Sequence, residues 1–307
     1  MKYLLIKGLP ESHSWKAITI NGLRLRGIIW KEKDIVQNDT LFIYTKWPSI
    51  HFESDLYEIA VEPITNLSAT RRDIITIRSI LKEHLHESTA LIDVNCGSGR
   101  HLFELARKGI YGIGMEGAKL LRNSAKKQAR SLSVPIRIVS TSPYIRKRLR
   151  HRADIVTSLF NSIGYTFNIK DDVHRLCWMA DLLKNNGYFL WDIRSYEYQK
   201  QHYVHPVTER VQLNIMNVTG YTTNKIYITT IKQWIDGVLI ARETLTSKKL
   251  NSEIIIQDTT YGWNMYPLET IQSILKEAGL RYINHRMDYY SNKNNYGERM
   301  FILAQRH

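Results

Sequence analysis

The sequence predicts an α/β protein. A mostly parallel sheet lies between helices, an antiparallel β insertion comes late in the chain, and a β-rich extension comes before. Three observations carry this. Residues 68–195 alternate short apolar runs with stretches of helical spacing, the pattern of βαβ units whose sheet is covered on both faces. Residues 207–262 change to long β-propensity runs, with Asp236-Gly237 as a hairpin signal. Residues 1–60 hold short β-branched or aromatic runs separated by Asn-Gly and Asn-Asp turn signals.

In chain order, Ala17–Ile20, Leu23–Trp30 and Thr40–Trp47 read as strands of the extension. Ile74, Ile77, Leu81 and Leu85 follow helical spacing. Ala90–Val94 is a short apolar run ending in a glycine loop, hence a buried strand. His101–Lys108 reads as a helix, Gly112–Met115 as a strand, Ala118–Arg130 as a helix and Ile136–Val139 as a strand. Ile155–Leu159 is a strand, Asp172–Leu183 a helix and Tyr188–Ile193 a strand. The insertion supplies Val207–Val218, Lys225–Trp234, Val238–Thr246 and Glu253–Tyr261. Helix Leu268–Glu277 ends at Gly279 and is followed by strands Arg281–Met287 and Arg299–Ala304. There is no internal repeat and no low-complexity segment.

The totals bound the function classes. A chain of 307 residues suits about two domains at roughly 150 residues each. Hydrophobic residues make up 43%, enough for a sizeable core, which excludes wholesale disorder. Lys and Arg number 43 against 29 Asp and Glu, a net charge of +14 that favours an acidic partner. The basic residues spread along the chain with one dense run, Arg146 to Arg152, read as a solvated face or a phosphate-contacting patch. Cys96 and Cys177 form no metal-type cluster, and a secreted disulfide scaffold carries more cysteine. The start has too short an apolar run for a signal peptide, and no stretch approaches the ~20 apolar residues of a membrane span. A cytoplasmic protein with no metal and no membrane association is the expectation.

The strongest local signal is Leu91-Ile92-Asp93-Val94-Asn95-Cys96-Gly97-Ser98-Gly99-Arg100-His101. An apolar strand runs into a glycine loop that opens a helix. Small residues let the backbone approach a ligand at the carboxyl end of the sheet, where open α/β sheets bind ligands. The next strand ends in Glu116, and an acid there can accept hydrogen bonds from both ribose hydroxyls of an adenosine. A dinucleotide fingerprint wants Gly-x-Gly-x-x-Gly, and this loop lacks a glycine three residues after Gly99.

At these residues the chain resembles the S-adenosyl-L-methionine (SAM)-dependent methyltransferases of the seven-stranded, Rossmann-like class I. Within them it is similar to a small-molecule branch that includes glycine and amino-sugar N-methyltransferases. Asp93, Gly97, Gly99, Arg100 and His101 match the family loop. Residues 153–165 resemble its fourth strand and following loop, and Leu182 to Asp192 its turn and fifth strand. Tyr266, Glu277-Ala278-Gly279 and Arg299 to Ile302 match its closing elements, so the resemblance covers residues 55–305. It implies a seven-stranded sheet over 68–305 whose last strand is antiparallel. It also implies a methyltransferase domain over 61–307, with 205–262 inserted as an acceptor lid or dimer contact and 1–60 as an extension.

SAM is the implied cofactor, held by Asp93, Asn95, Cys96, Gly97, Gly99, Glu116, Gly117, Ser142 and Leu159. Two of these depart from the family pattern. Asn95 stands where the first loop glycine is usual, and asparagine accepts left-handed backbone angles better than most residues. Ser142 stands near the usual aspartate on the adenine amine and replaces only part of it.

Methyl transfer from a sulfonium is an in-line displacement, so the enzyme mainly aligns the acceptor and excludes water. An amine acceptor must also arrive neutral or lose its proton to a base. Tyr165, Asn161 and Tyr266 are the implied catalytic candidates. Tyr57, Phe160, His174 and Trp263 are further residues for the acceptor side, and Arg194 is a candidate for an acidic acceptor. The expected activity is transfer to a nitrogen or oxygen of a small molecule, with a homodimer possible. The charge leaves a peptide, protein or RNA acceptor open, and Asn95 and Ser142 leave open a scaffold that has lost catalysis.

Overall fold

The computed structural model describes residues 5–6, 17–20, 23–25, 43–44, 61, 65–165, 168–213, 225–235, 237–249, 252–287 and 297–307. These form two compact units, Met1–Val61 with Tyr203–Trp263 and Glu62–His202 with Asn264–His307. Among the described residues no helix is long and apolar enough to cross a membrane.

The first unit holds two sheets. Strands β1 (Leu5–Ile6), β2 (Ala17–Ile20), β3 (Leu23–Leu25) and β4 (Ile43–Tyr44) lie in the order β3-β2-β1-β4, with β1 and β4 parallel. The antiparallel β2–β3 pair matches Ile20 with Leu23; the Asn21-Gly22 turn signal lies outside the described residues.

In the second unit, α1 (Leu67–Ile80) leads to the central strand β5 (Leu91–Val94), α2 (Arg100–Ala106) and β6 (Gly112–Met115). Then come α3 (Lys119–Ser131), β7 (Arg137–Val139), α4 (Pro143–Leu149), β8 (Ala153–Ser158), α5 (Ile169–Ala180) and β9 (Leu183–Arg194). The short helix α6 (Tyr196–His202) closes this run. In the first unit, β10 (Val207–Leu213), β11 (Lys225–Ile235), β12 (Val238–Lys249) and β13 (Ser252–Asn264) follow in sheet order, the predicted insertion. Ile235 pairs with Val238 in the antiparallel β11–β12 pair, and Gly237 has φ +85°. Helix α7 (Leu268–Glu277) and strands β14 (Leu280–Met287) and β15 (Arg299–Arg306) complete the second unit.

Its seven strands lie in the order β14-β15-β9-β8-β5-β6-β7. All neighbours are parallel except β15, which runs antiparallel to β9 and β14. The seven-stranded, mostly parallel sheet is therefore present, with Leu91–Val94 in its interior, third from the β7 edge. Strand residues alternate between two core clusters. Ile92, Val156, Phe189, Trp191 and Ile302 pack on one face, and Leu91, Ile155, Leu190 and Phe301 on the other. This double burial explains why the strands read as continuous apolar runs. The strand order reverses beside β5, at β8, and the loops after β5, β6 and β8 open there.

Some local expectations shift. α4 appears where the sequence shows only a basic run; Ser142 as N-cap and Pro143 at the first turn are a usable start signal. α6 is a further helix outside the sequence expectation. β9 starts at Leu183 rather than Tyr188, because the Leu-Lys-Asn-Asn-Gly turn is absorbed as an irregularity, with Asn186 at φ +63°.

Candidate cofactor and acceptor site

β5, β6 and β8 bring their carboxyl ends together, and the glycine loop spans the first two. Asn95, Gly97 and Gly99 all have positive φ, +57°, +58° and +88°. A side chain at Gly99 would come within 2.8 Å of the Phe103 ring, whereas a Cβ at Gly97 would meet nothing within 4 Å. The loop is thus packed below and open beside Gly97. Asn95 takes the left-handed conformation that its residue type tolerates. The Cys96 amide donates to Met115 O at 3.2 Å, tying the loop to β6. The buried Cys96 thiol is pushed up by burial and by Asp93 and Glu116, which leaves it an unreactive packing group.

Glu116 sits buried at the end of β6. Its Oε2 accepts the Gly97 amide at 2.9 Å and its Oε1 the Ala118 amide at 2.7 Å. Burial raises its pKa, while the Ala118, Gly97 and Gly117 amides and Arg122 pull it back. Asp93, at the end of β5, accepts the Thr157 hydroxyl on Oδ1 at 2.7 Å, but its buried Oδ2 has no partner. Burial pushes its carboxyl up to about 7. Ser142 caps α4 and accepts from the Ser140 hydroxyl at 3.1 Å, and Leu159 is buried in the core beneath.

Phe160 and Asn161, two of the acceptor-side candidates, fall on a second region held by hydrogen bonds to Asp192. After β8 the chain passes through Phe160 and Asn161 at φ +61° and +54°, two successive left-handed non-glycine residues. Such strain persists only where surroundings fix it. Here the Phe160 amide donates to Asp192 Oδ2 at 2.8 Å and the Asn161 amide to Asp192 O at 3.1 Å. Asn161 Oδ1 accepts the Arg194 amide at 3.1 Å, leaving its buried Nδ2 without a hydrogen-bond partner.

Asp192 is itself clamped by Arg299, through Nε at 3.0 Å to Oδ1 and a closer Nη2 contact to Oδ2. Arg299 Nη1 continues to Asp73 Oδ1 at 2.7 Å, and Arg100 Nη1 reaches Asp73 Oδ2 at 2.9 Å. The Arg100 guanidinium lies 4.9 Å over the Phe160 ring, and that of Arg299 lies 5.9 Å from it. Burial alone would raise the Asp73 carboxyl; the His101 hydrogen bond and the nearby arginines outweigh it and hold Asp73 well below the usual range. His101 is pushed down to about 4 by burial and Arg100, so at neutral pH it is an uncharged donor to Asp73, 3.1 Å away.

The other candidates divide. Tyr165 is buried in the loop after β8. The Tyr266 hydroxyl donates to the fully buried Asp172 Oδ2 at 2.6 Å, and Asp172 Oδ1 accepts the Gly164 amide at 3.3 Å. Burial and Asp172 push the Tyr266 phenol up, so it acts as a fixed donor. Arg194 pairs with Glu298 at 2.5 Å, and His174 is exposed on α5. Trp263 belongs to the other unit, and Tyr57 lies outside the described residues. Asp73, Thr157, Asp192 and Arg299 are residues that sequence reasoning missed as partners; a charge at the end of an apolar strand was the available signal for Asp192 and Arg299, while Asp73 on α1 and the neutral Thr157 carried none.

No family model matches the sequence, and no curated protein matches it. Solved structures do share the fold. An S-adenosylmethionine-dependent methyltransferase from Clostridium acetobutylicum is similar at a TM-score of 0.60 and 19% identity, covering 82% of this chain and 99% of that one. A SAM-bound amino pentose methyltransferase from Micromonospora echinaspora is similar at 0.63 and 14%, covering 83% and 98%. A sugar N-methyltransferase from a Streptoalloteichus species is similar at 0.58 and 18%, covering 78% and 88%. The chain has the Rossmann-like class I methyltransferase fold.

Proposed function

We propose that this protein is a SAM-dependent methyltransferase acting on a nitrogen or oxygen of a small molecule. The observation that carries the reading is the open glycine loop between two buried carboxylates, Asp93 and Glu116, at the ends of adjacent central strands. When bound, SAM supplies a methyl group on a sulfonium, a cationic electrophile. Both Glu116 oxygens accept backbone amides, and the lone-pair capacity that remains is what a ribose hydroxyl would use. A buried polar atom without a partner costs about 1–3 kcal/mol, so the bare Asp93 Oδ2 favours a ligand that brings a donor or a positive charge. Asn95, Cys96, Gly97 and Gly99 shape the loop, and Gly117, Ser142 and Leu159 complete the cofactor walls.

On the acceptor side, Asn161 and Tyr165 line the approach on the turn clamped by Asp192. The bare Asn161 Nδ2 is a donor for an acceptor's lone pair. Tyr266 acts as a positioning residue, holding the Gly164 turn through Asp172. Two neighbours named as amino pentose and sugar N-methyltransferases support a small acceptor.

The test is calorimetric titration of SAM and of its demethylated product, followed by a methylation screen that includes amino sugars, at low and moderate salt. Both nucleosides should bind saturably, and transfer to a small neutral acceptor should change little with salt. A steep loss with salt would favour a polyanionic acceptor instead. A well-folded protein that binds neither nucleoside would reject catalysis in favour of a scaffold.

A further inference from the structure

Between Gly117 and Ala153 the chain carries eleven Lys and Arg and no Asp or Glu. The rest of the chain holds 32 basic against 29 acidic residues, so nearly the whole net charge comes from this segment. The charge is therefore far less evenly spread than the one dense run suggests. The fold gathers the segment at one place. It comprises α3, the edge strand β7, α4 and the turn into β8. α3 packs Ala125 into one core cluster, while Ile145 and Leu149 of α4 pack against the cluster on the opposite face of the sheet. The cations thus wrap around the free edge of the sheet.

Most of them face solvent. Lys126, Lys127, Arg130, Arg137, Lys147 and Arg152 are exposed, and the first three line an open recess of about 500 Å³ on α3. Arg122 is committed to the carbonyls of Glu116 and Gly117, Arg146 lies 4.9 Å over Trp178, and Arg150 pairs with Asp181. These three are engaged within the protein.

We propose that this edge binds the phosphate backbone of a nucleic acid without reading its sequence. Three of the six exposed cations, Arg130, Arg137 and Arg152, are arginine, whose planar fork matches phosphate oxygens in pairs. Tyr144 is 66% exposed among them, and Arg148 donates to its hydroxyl at 3.2 Å, which holds that guanidinium on the outer face of α4. A membrane surface is the poorer fit. Leu121, Ala125 and Ala129 of α3 are buried in the protein, and Leu120 is the single large apolar side chain that the helix exposes, too little to enter a bilayer. The proposal does not rest on the methyltransferase reading.

The experiment uses the full chain and fluorescent RNA and DNA duplexes of about 20 base pairs, titrated by anisotropy from 50 to 200 mM salt. RNA and DNA of unrelated sequence should bind alike. With about six phosphates engaged, the log–log salt slope should be about −5. Replacing the six exposed cations by Gln should weaken binding at least tenfold and flatten the slope, with circular dichroism and SAM titration unchanged. A control with Arg78, Lys82, Lys108, Lys170, Lys200 and Lys276 replaced by Gln removes the same charge elsewhere and should retain most of the binding. No binding at 50 mM salt, a slope near zero, or an equal loss in the control overturns the proposal. So does tighter binding to vesicles of phosphatidylglycerol than to either duplex. If the six-fold variant does not fold, lysine acetylation of the wild-type protein decides. Nucleic acid should protect Lys126, Lys127 and Lys147 but not Lys82 or Lys108, and equal protection of both sets overturns the proposal.

Discussion

The two halves of the crevice are built on opposite electrostatic plans. Around β5 and β6, carboxylates are buried with backbone amides and a hydroxyl for partners, and Asp93 keeps one oxygen bare. Around β8, β9 and β15, carboxylates are buried against guanidinium groups, and Asp73 is held well below the usual range while Asp93 is raised to about 7. The first half leaves an acceptor oxygen unsatisfied, which suits it to the proposed ligand. The second pairs its buried carboxylates with guanidinium groups, which fix the Phe160–Asn161 turn, although Arg100 Nη2 and Asn161 Nδ2 are left without hydrogen-bond partners. Burial alone therefore does not mark a binding carboxylate; its partners do.

The largest expected effect tests the closed half. Arg299→Met strips a cation from both Asp73 and Asp192. Breaking a buried pair by removing one partner costs about 3–5 kcal/mol, and that loss should appear in urea unfolding. Arg299→Lys should recover only part, because an ammonium cannot reproduce a guanidinium that contacts two carboxylates. A cost below about 1 kcal/mol would show that the network is not what holds this half together.

The open half should respond in the opposite sense. The folded pKa of Asp93, about 7, lies above its unfolded value near 3.8, so the folded state holds a proton that the unfolded state has released. Stability from this group is full below pH ~4 and is lost as pH rises through about 7. Asp93→Asn removes that loss and keeps an acceptor for Thr157. The variant should gain on wild type by a few kcal/mol between pH 4 and pH 8, measured by paired urea titrations. A parallel pH dependence in the two proteins would place a partner on Asp93 that closes the contrast. Glu116→Ala comes next in size. It removes an acceptor for the ribose, worth about 1.5–3 kcal/mol, so SAM affinity should fall about tenfold or more by calorimetry. Unchanged affinity in a folded protein would move the ribose away from β6.

The same contrast decides what the sequence could reveal. Asp93 to Gly99 is contiguous and Glu116 lies one strand on, so the open half is a local pattern. The partners of the closed half are distant in sequence. Arg299 reaches Asp73 across 226 positions and Asp192 across 107. A single charge at the end of an apolar strand has no periodicity to betray its partner. Tyr266 shows the same limit: its position was legible, but its bond to Asp172, 94 residues earlier, was not. The sheet was readable because strands buried on both faces are short apolar runs set between helical spacings. α4 escaped because its apolar contact is limited to the half-buried pair Ile145 and Leu149, set in a seven-residue helix dominated by cations.

The smallest effect concerns the loop's departure from the family pattern. If the open half works through backbone shape, Asn95 matters for its φ of +57° and not for its amide. Asparagine takes that conformation at little cost, so Asn95→Gly trades slight relief in the folded state against greater freedom in the unfolded chain. The two nearly cancel, and stability should move by no more than about 0.5 kcal/mol with SAM affinity within about threefold. Valine is β-branched and belongs outside this region, so Asn95→Val should cost about 1–3 kcal/mol and weaken SAM binding as the loop distorts. The discriminating result is the order of the two variants. If glycine weakened SAM binding as much as valine, the Asn95 side chain would be a ligand contact, and the open half would depend on a polar group as well as on its glycines.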